Sequence, residues 1–387
     1  MNIVHKSFAV LGLLICMASC KRDHKEGSVI GPANIAASSK FAIVSPDTFR
    51  IITVTDPITD VYLSTASPNF GAKFNETVSW KIILTGLNST AVKTLSGTSS
   101  VIDASNSVWT GNHDGLYYFE DNETIKADLI IAGREGIYST TNFLLAQSRT
   151  FQRTATFSLS QTASNTPTTF EGILNFPTLF NVGGTTTIKL QDSIIRAPEG
   201  THYVHIEGVS TQANGFFVGG LQCRMDPSAD TSVPRFMPKE WTDPNKIYLN
   251  IYIRGIDHLP VGTMPYAELN FECHEDDNLN PSTVQNCTYY AISPVGTGTD
   301  WFCPSSEDAW VSVIPITHVG WKLFSIRYSD LLPSADLNNG GHGNKKQEPQ
   351  KVCRVQFGLV SSPPFNHVQA DIDFACFTYG APLDPTK

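Results

Sequence analysis

From Phe41 onward the chain is written in short runs in which apolar and polar residues alternate, and turn residues break the runs. Phe41 to Val44, Phe49 to Thr55 and Val61 to Thr65 are the first three. The fourth, Glu76 to Gly86, places Val78, Trp80, Ile82 and Leu84 on one face at period two, the pattern of a half-buried strand. Further strands are predicted at Ala91 to Leu95, Gly115 to Phe119 and Lys126 to Ala132, separated by Gly, Asn and Asp. Between Thr154 and Thr169 the chain is rich in Ser, Thr and Asn, which predicts the join between two domains. Beyond it the alternation resumes at Phe170 to Phe180, Thr185 to Leu190 and onward to the end. Long amphipathic helices are missing, so the expected class is all-β.

The N-terminus obeys a different rule. A short start with Lys6 leads into an apolar run from Phe8 to Cys16, and small residues at Ala18 and Ser19 precede Cys20. That run is too short to span a bilayer and reads as a signal peptide. Residues 21–40 are polar and small, without apolar periodicity, and predict a flexible tether. The expected organisation is a leader at 1–19, Cys20 and a tether at 20–40, one β-sandwich at 41–160 and a larger one at 161–387.

Composition sharpens this. Charged residues make up 16% of the 387 residues and the net charge is −9, with no basic run beyond Lys345-Lys346, which argues against a nucleic-acid partner. Six cysteines, Cys223, Cys273, Cys287, Cys303, Cys353 and Cys376, fall in the C-terminal part. An exported chain meets an oxidising compartment, so disulfides are expected, with buried thiols as the alternative. Wide spacings and the lack of a C-x-x-C disfavour zinc.

Three sets of residues resemble known families. Met17-Ala18-Ser19-Cys20 resembles the lipobox of bacterial lipoproteins, with Met17 in place of the usual Leu. The resemblance implies cleavage before Cys20 and acylation of that cysteine with diacylglycerol and palmitate; Lys21, rather than Asp, as the next residue is consistent with the outer membrane, facing the cell surface or the periplasm. The stretch from Trp109 to Phe119 resembles the W-x-G…G-x-Y-x-F pattern of hook-capping-type bacterial Ig-like modules, which implies an Ig-like sandwich serving as spacer. Ala197 to Gly208, Gly320 to Asp330 and Ala370 to Gly380 resemble, in order, the opening strand, a middle strand and the closing strand of galactose-binding-like jelly-roll domains. That family implies a β-sandwich that binds carbohydrate without cleaving it.

Carbohydrate sites pair aromatic rings with planar hydrogen-bonding groups. In Tyr248 to Arg254, alternation turns Leu249, Ile251 and Ile253 inward and leaves Tyr248, Asn250, Tyr252 and Arg254 on the other face. This is the first candidate surface; packing under another part of the chain is the competing reading. Trp241, Tyr289, Tyr290 and Trp301 form a second, on rim loops, with the polar segment 336–350 nearby. Trp80, Trp109, Trp310 and Trp321 are expected to be core aromatics. The acidic cluster His274 to Asn278 allows a structural calcium, as does the pair Asp371 and Asp373, although solvated carboxylates are the simpler expectation for both; no other cofactor is implied. No G-x-S-x-G, H-E-x-x-H, P-loop or dinucleotide fingerprint is present, which disfavours an enzyme. The sequence therefore points to a non-catalytic envelope lipoprotein that captures polysaccharide or oligosaccharide. The alternative is a structural or adhesive envelope protein that binds a protein partner.

Overall fold

A computed structural model describes residues 48–52, 60–62, 67–147, 154–156, 179–181, 184–192, 195–210, 217–224, 237–256, 267–275, 308–334, 344–361 and 367–386. All belong to one compact unit, Ile43–Lys387. Cys20, the leader, the tether, Tyr289, Tyr290 and Trp301 lie outside the described residues.

The fold is all-β. Its N-terminal part comprises β1 (Arg50–Ile52), β2 (Asp60–Tyr62), β3 (Asn69–Gly86), β4 (Val92–Ile102), β5 (Glu123–Ile131) and β6 (Ser139–Gln147). Their order is β1-β3-β5-β6-β2, with β4 on β3. The period-two face of β3 is core: Trp80, Ile82 and Leu84 are buried. So is Trp109, whose ring meets Phe119 edge-on at 4.8 Å while its indole N–H donates to the Asn112 carbonyl at 2.9 Å. Gly111 turns the chain there at a φ of 84°, a conformation that costs glycine least. The strand expected at Gly115 to Phe119 is instead an irregular segment. Its aromatic residues suggest a strand, yet both are buried outside any ladder, Tyr118 among Tyr252 and Phe374 and Phe119 against Trp109.

The C-terminal part is a two-sheet sandwich built from β7 (Thr154–Thr156), β8 (Leu179–Asn181), β9 (Gly184–Asp192), β10 (His202–Ser210), β11 (Phe217–Arg224), β12 (Ile247–Gly255), β13 (Ala267–Glu275), β14 (Asp308–Pro315), β15 (Gly320–Arg327), β16 (Leu332–Pro333), β17 (Val352–Ser361) and β18 (His367–Tyr379). One sheet runs β15-β12-β18-β10-β9, with β7 on β18; the other runs β16-β14-β13-β17-β11-β8. The three landmark stretches form β10, β15 and β18 of the first sheet.

A continuous core lies between the sheets. Leu249, Ile251 and Ile253 of β12 and Val368, Ala370 and Ile372 of β18 face Leu269, Phe271 and Cys273 of β13 and Val355, Phe357 and Leu359 of β17. Each large side chain removed from water there contributes roughly 1.5–3 kcal/mol before the entropy of ordering it is set against the gain. Trp310 joins this core.

Strand β18 breaks its own alternation. Its pairing with β12 slips between Asn250 and Tyr252, and Phe374 takes a φ of 43°. The extra residue of this bulge reverses the faces that follow it. Ala375 and Phe377 therefore enter the core, whereas Phe374 and Cys376 belong to a separate cluster on the other side of the sheet.

Candidate functional site

Tyr248, Asn250, Tyr252 and Arg254 do share the outward side of β12, but most of that surface is closed. Asn250 is fully buried: its Nδ2 donates to Thr378 Oγ1 at 2.9 Å, and its Oδ1 accepts from Ser325 Oγ at 2.7 Å and from the Leu383 N–H at 2.9 Å. Tyr252 is buried with its hydroxyl 3.2 Å from that of Tyr118 in the N-terminal part. Around this pair gather Phe374, Cys376 and Leu383, with Leu116, Trp321 and Leu323 at the margin. Burial pushes the Tyr252 phenol and the Cys376 thiol each up to about 12, and lifts Tyr118 well above the usual phenol range. The expectation of a sugar platform at Asn250 and Tyr252 is therefore corrected: they are the joint against which the N-terminal strands pack. Alternation told which face these residues share and not what covers it.

The rest of the first candidate set is also committed. Arg254 pairs with Asp371, and its guanidinium lies 5.9 Å from the Tyr203 ring centre and 6.0 Å from that of Trp321. Tyr248 is half-buried under the Arg327 guanidinium. Trp241 is in the main core, its ring 5.2 Å from Tyr379, which corrects its assignment to an open rim. Trp321 sits on a strand as expected but on the outward face, where its indole N–H donates to the Arg196 carbonyl at 2.8 Å.

Asp371 and Asp373 are fully buried rather than solvated. Asp371 accepts from Arg254 and faces His205 Nδ1 at 2.6 Å; Asp373 accepts from the N–H groups of Glu199 and Phe374. Each acid is thus satisfied by its own neighbours.

The opposite sheet carries a different outward face. Along Ala267–Glu275, alternation sends Leu269, Phe271 and Cys273 into the core and turns Glu268, Asn270, Glu272 and His274 away from it. The register extends these positions into rows. Glu272 stands opposite Val311 of β14 and Gln356 of β17, and Gln356 stands opposite Gln222 of β11. One row over, Asn270 is opposite Gly358, which is opposite Gly220. A Cβ at Gly220 would lie 2.0 Å from the Phe357 carbonyl oxygen, so only glycine fits at that position.

Glu272, His274 and Gln356 are almost fully buried although they point away from the core. Gln356 Nε2 donates to Glu272 Oε2 at 3.2 Å, and His274 Nε2 lies 3.7 Å from the same oxygen. Beside them, Asn270 Oδ1 is shielded from water and has no hydrogen-bond donor among the described residues. An oxygen held in this state costs roughly 1–3 kcal/mol unless something supplies a donor. The sheet end next to this face is braced. Glu275 Oε1 accepts from Tyr328 Oη at 2.7 Å and from the Glu348 N–H at 2.7 Å, and Asp308 accepts from the Lys345 N–H at 2.6 Å. His274 and Glu275, expected in a solvated or calcium-holding loop, are instead the buried end of β13. Among the described residues no cluster of three or more metal-ligating side chains is formed.

A carboxylate, an imidazole and two amides on one sheet face offer both donors and acceptors, the chemistry that hydroxyl-rich ligands require. The signal for this face was present in the sequence. Residues 267–275 alternate as cleanly as residues 248–254, but their polar members are short and not aromatic.

No family model matches the chain, and no curated protein matches it. Solved structures do. A family 11 carbohydrate-binding module from Clostridium thermocellum, in complex with a β-1,3-1,4-mixed-linked tetrasaccharide, is 16% identical over 55% of this chain and 92% of its own, at a TM-score of 0.32. A structure of carbohydrate-binding modules from the β-sandwich superfamily is 12% identical over 86% of this chain and 96% of its own, at 0.31. The N-terminal CBM22-1–CBM22-2 tandem of Paenibacillus barcinonensis Xyn10C is 8% identical over 88% and 92%, at 0.28. These likenesses are distant. The architecture stated above stands on strand order and register.

Proposed function

We propose that this protein is a non-catalytic carbohydrate-binding protein of the bacterial envelope, and that the outward face of β13, β17 and β11 is where the glycan lies. The observation that carries the proposal is the set of Asn270, Glu272, His274 and Gln356. On a sheet face directed away from the core, Glu272, His274 and Gln356 are almost fully buried, with Gln356 bonded to Glu272, and the half-buried Asn270 beside them keeps an unused acceptor that a ligand hydroxyl would satisfy. Buried polar groups are costly unless a partner satisfies them, and Asn270 Oδ1 has no donor among the described residues. The galactose-binding-like landmarks in the sequence support the same reading, since that family implies carbohydrate as ligand.

The address completes the proposal. Residues 1–19 are a leader, Cys20 carries the lipid, residues 21–40 are a tether, and the N-terminal strands form an Ig-like spacer that holds the sandwich off an outer membrane. Mass spectrometry of the native protein checks this part: acylated Cys20 at the N-terminus is expected, and an unmodified Cys20 refutes it.

Affinity electrophoresis of the full chain through gels containing single polysaccharides tests the binding. Retardation by at least one glycan is expected. Glu272→Ala and Gln356→Ala each weaken it about tenfold or more, because a lost hydrogen bond to a charged or buried partner costs about 1.5–3 kcal/mol. No retardation by any glycan overturns the proposal. One observation favours a protein partner as the second reading. Val313 and Leu332, exposed large aliphatics, lie on β14 and β16 at the edge beside this face. A stable envelope partner recovered from detergent extract, in the absence of glycan retention, decides for it.

A further inference from the structure

The unused acceptor of Asn270 has an aliphatic neighbour on its own face of the sheet. Asn270 of β13 stands directly opposite Val313 of β14, and Glu272 stands opposite Val311, which in turn faces Leu332 of β16. Residues directly opposite in a ladder point to the same side, with Cβ atoms about 4.5–5.5 Å apart. Trp310 and Ile314, which alternate with Val311 and Val313, are core residues, so the two valines and Leu332 lie on the side turned from the core. Val313 is 51% exposed and Leu332 67%, an aliphatic border left open along one flank of the polar set.

The other flank of Asn270 carries no side chain. Asn270 stands opposite Gly358 of β17, and Gly358 stands opposite Gly220 of β11. At a strand spacing of about 4.8 Å, the row runs for roughly 10 Å beyond Asn270 on backbone alone. The half-buried Asn270 thus sits between an isopropyl group and a row of glycine, with its Oδ1 shielded from water and lacking a donor among the described residues.

A ring hydroxyl would bring Asn270 a donor and leave Val313 against water. A secondary amide meets both needs. Its planar trans geometry puts the N–H and the acyl methyl on one side of the C–N bond and the N-substituent on the other. An amide N–H that donates to Asn270 Oδ1 therefore turns its methyl down on the adjacent residue across the ladder, and its N-substituent leaves in the opposite direction. Only one of the two neighbours is aliphatic, so the methyl goes to Val313 and the substituent runs over Gly358 and Gly220.

We infer that the glycan bound on this face contains an N-acetylhexosamine, whose acetamido N–H donates to Asn270 Oδ1, whose methyl packs on Val313 and whose ring lies over the glycine row. The inference rests on the carbohydrate reading proposed above and narrows it to a class of sugar.

Calorimetry of the full chain with chitohexaose and cellohexaose tests it, because these chains differ only in the acetamido group that replaces a ring hydroxyl. Affinity gels extend the comparison to glycol chitin and non-sulfated chondroitin, which carry N-acetylhexosamine, and to hydroxyethylcellulose and a linear galactan, which do not. The chondroitin gel is run at about 500 mM salt, where its charges are screened. Retention by at least one N-acetylated polymer is expected, about tenfold or more stronger than by either of the others. Asn270→Ala weakens that binding about tenfold, the effect of a lost buried hydrogen bond. Val313→Thr keeps the branched shape at an exposed position and weakens it a few-fold. Neither variant lowers the melting temperature, since the first removes an unsatisfied acceptor and the second lies at the surface.

Cellohexaose and hydroxyethylcellulose bound as tightly as their N-acetylated counterparts overturn the inference and leave carbohydrate binding in place. The same holds if only glycans without acetamido groups are retained, or if the two variants leave affinity for the N-acetylated polymers unchanged. Retention by no glycan overturns both.

Discussion

Asp371 shows how much a single residue's role depends on what lies across the sheet. It is fully buried, paired with Arg254 and facing His205, whereas alternation alone predicts an exposed acid. The same outward face continues to Glu207 and His367, which meet at 2.6 Å. The hydrogen bond from His367 is the largest influence holding the Glu207 carboxyl below its usual value of 4.5. A carboxylate depressed in the folded state contributes stability that is fully present above the unfolded value of 4.5 and is lost as pH falls through the lower folded value. Urea denaturation of wild type and Glu207→Gln is therefore expected to differ at about pH 6 and to converge near about pH 3. A difference that persists unchanged at the acid end contradicts the assignment.

At the scale of elements, the strands were legible and their irregularities were not. Residues 76–86 and 248–254 announce their inner faces because period two survives in them without interruption. In β18 the period fails at Phe374, because one inserted residue exchanges the faces of everything after it, and nothing in Asp371 to Phe377 marks where the insertion falls. The segment around Tyr118 deceived for the opposite reason: aromatic composition suggests a strand where the chain forms a plug. In β13 the pattern was plain, but its polar side chains are short and not aromatic, so nothing set that face apart in the sequence. The bulge makes a sharp prediction. Deleting residue 374 turns Ala375 and Phe377 out of the core, and should abolish soluble expression. Phe374→Leu keeps the register, and should cost about 1–2 kcal/mol as a size change in a packed site. Comparable yields and melting temperatures for the two variants contradict the reading.

At the scale of the whole molecule, the N-terminal strands and the sandwich are joined by specific contacts. Arg196 reaches back to the Asn88 carbonyl, Thr90 Oγ1 and Glu120. The Tyr118 N–H donates to the Pro198 carbonyl. The segment after β18 returns to the N-terminal part, where the His113 N–H and Asn112 Nδ2 donate to the carbonyls of Pro385 and Thr386. Tyr118 and Tyr252 sit at the centre of this joint. Scanning calorimetry of the wild type is expected to show one cooperative transition. Tyr118→Ala, which removes a large buried aromatic worth about 3–5 kcal/mol, should split it into two. Two transitions already in the wild type contradict a tight joint.

With the outer side of β12 closed by this joint, the face of β13, β17 and β11 is the surface to which the account assigns the glycan. A crystal structure of the full chain with whichever glycan it retains tests that assignment most directly. The account predicts a sugar ring lying across β13 and β17, with its polar groups within hydrogen-bond distance of Glu272, Gln356 and Asn270 Oδ1. A sugar seated elsewhere, with those three side chains untouched, contradicts it.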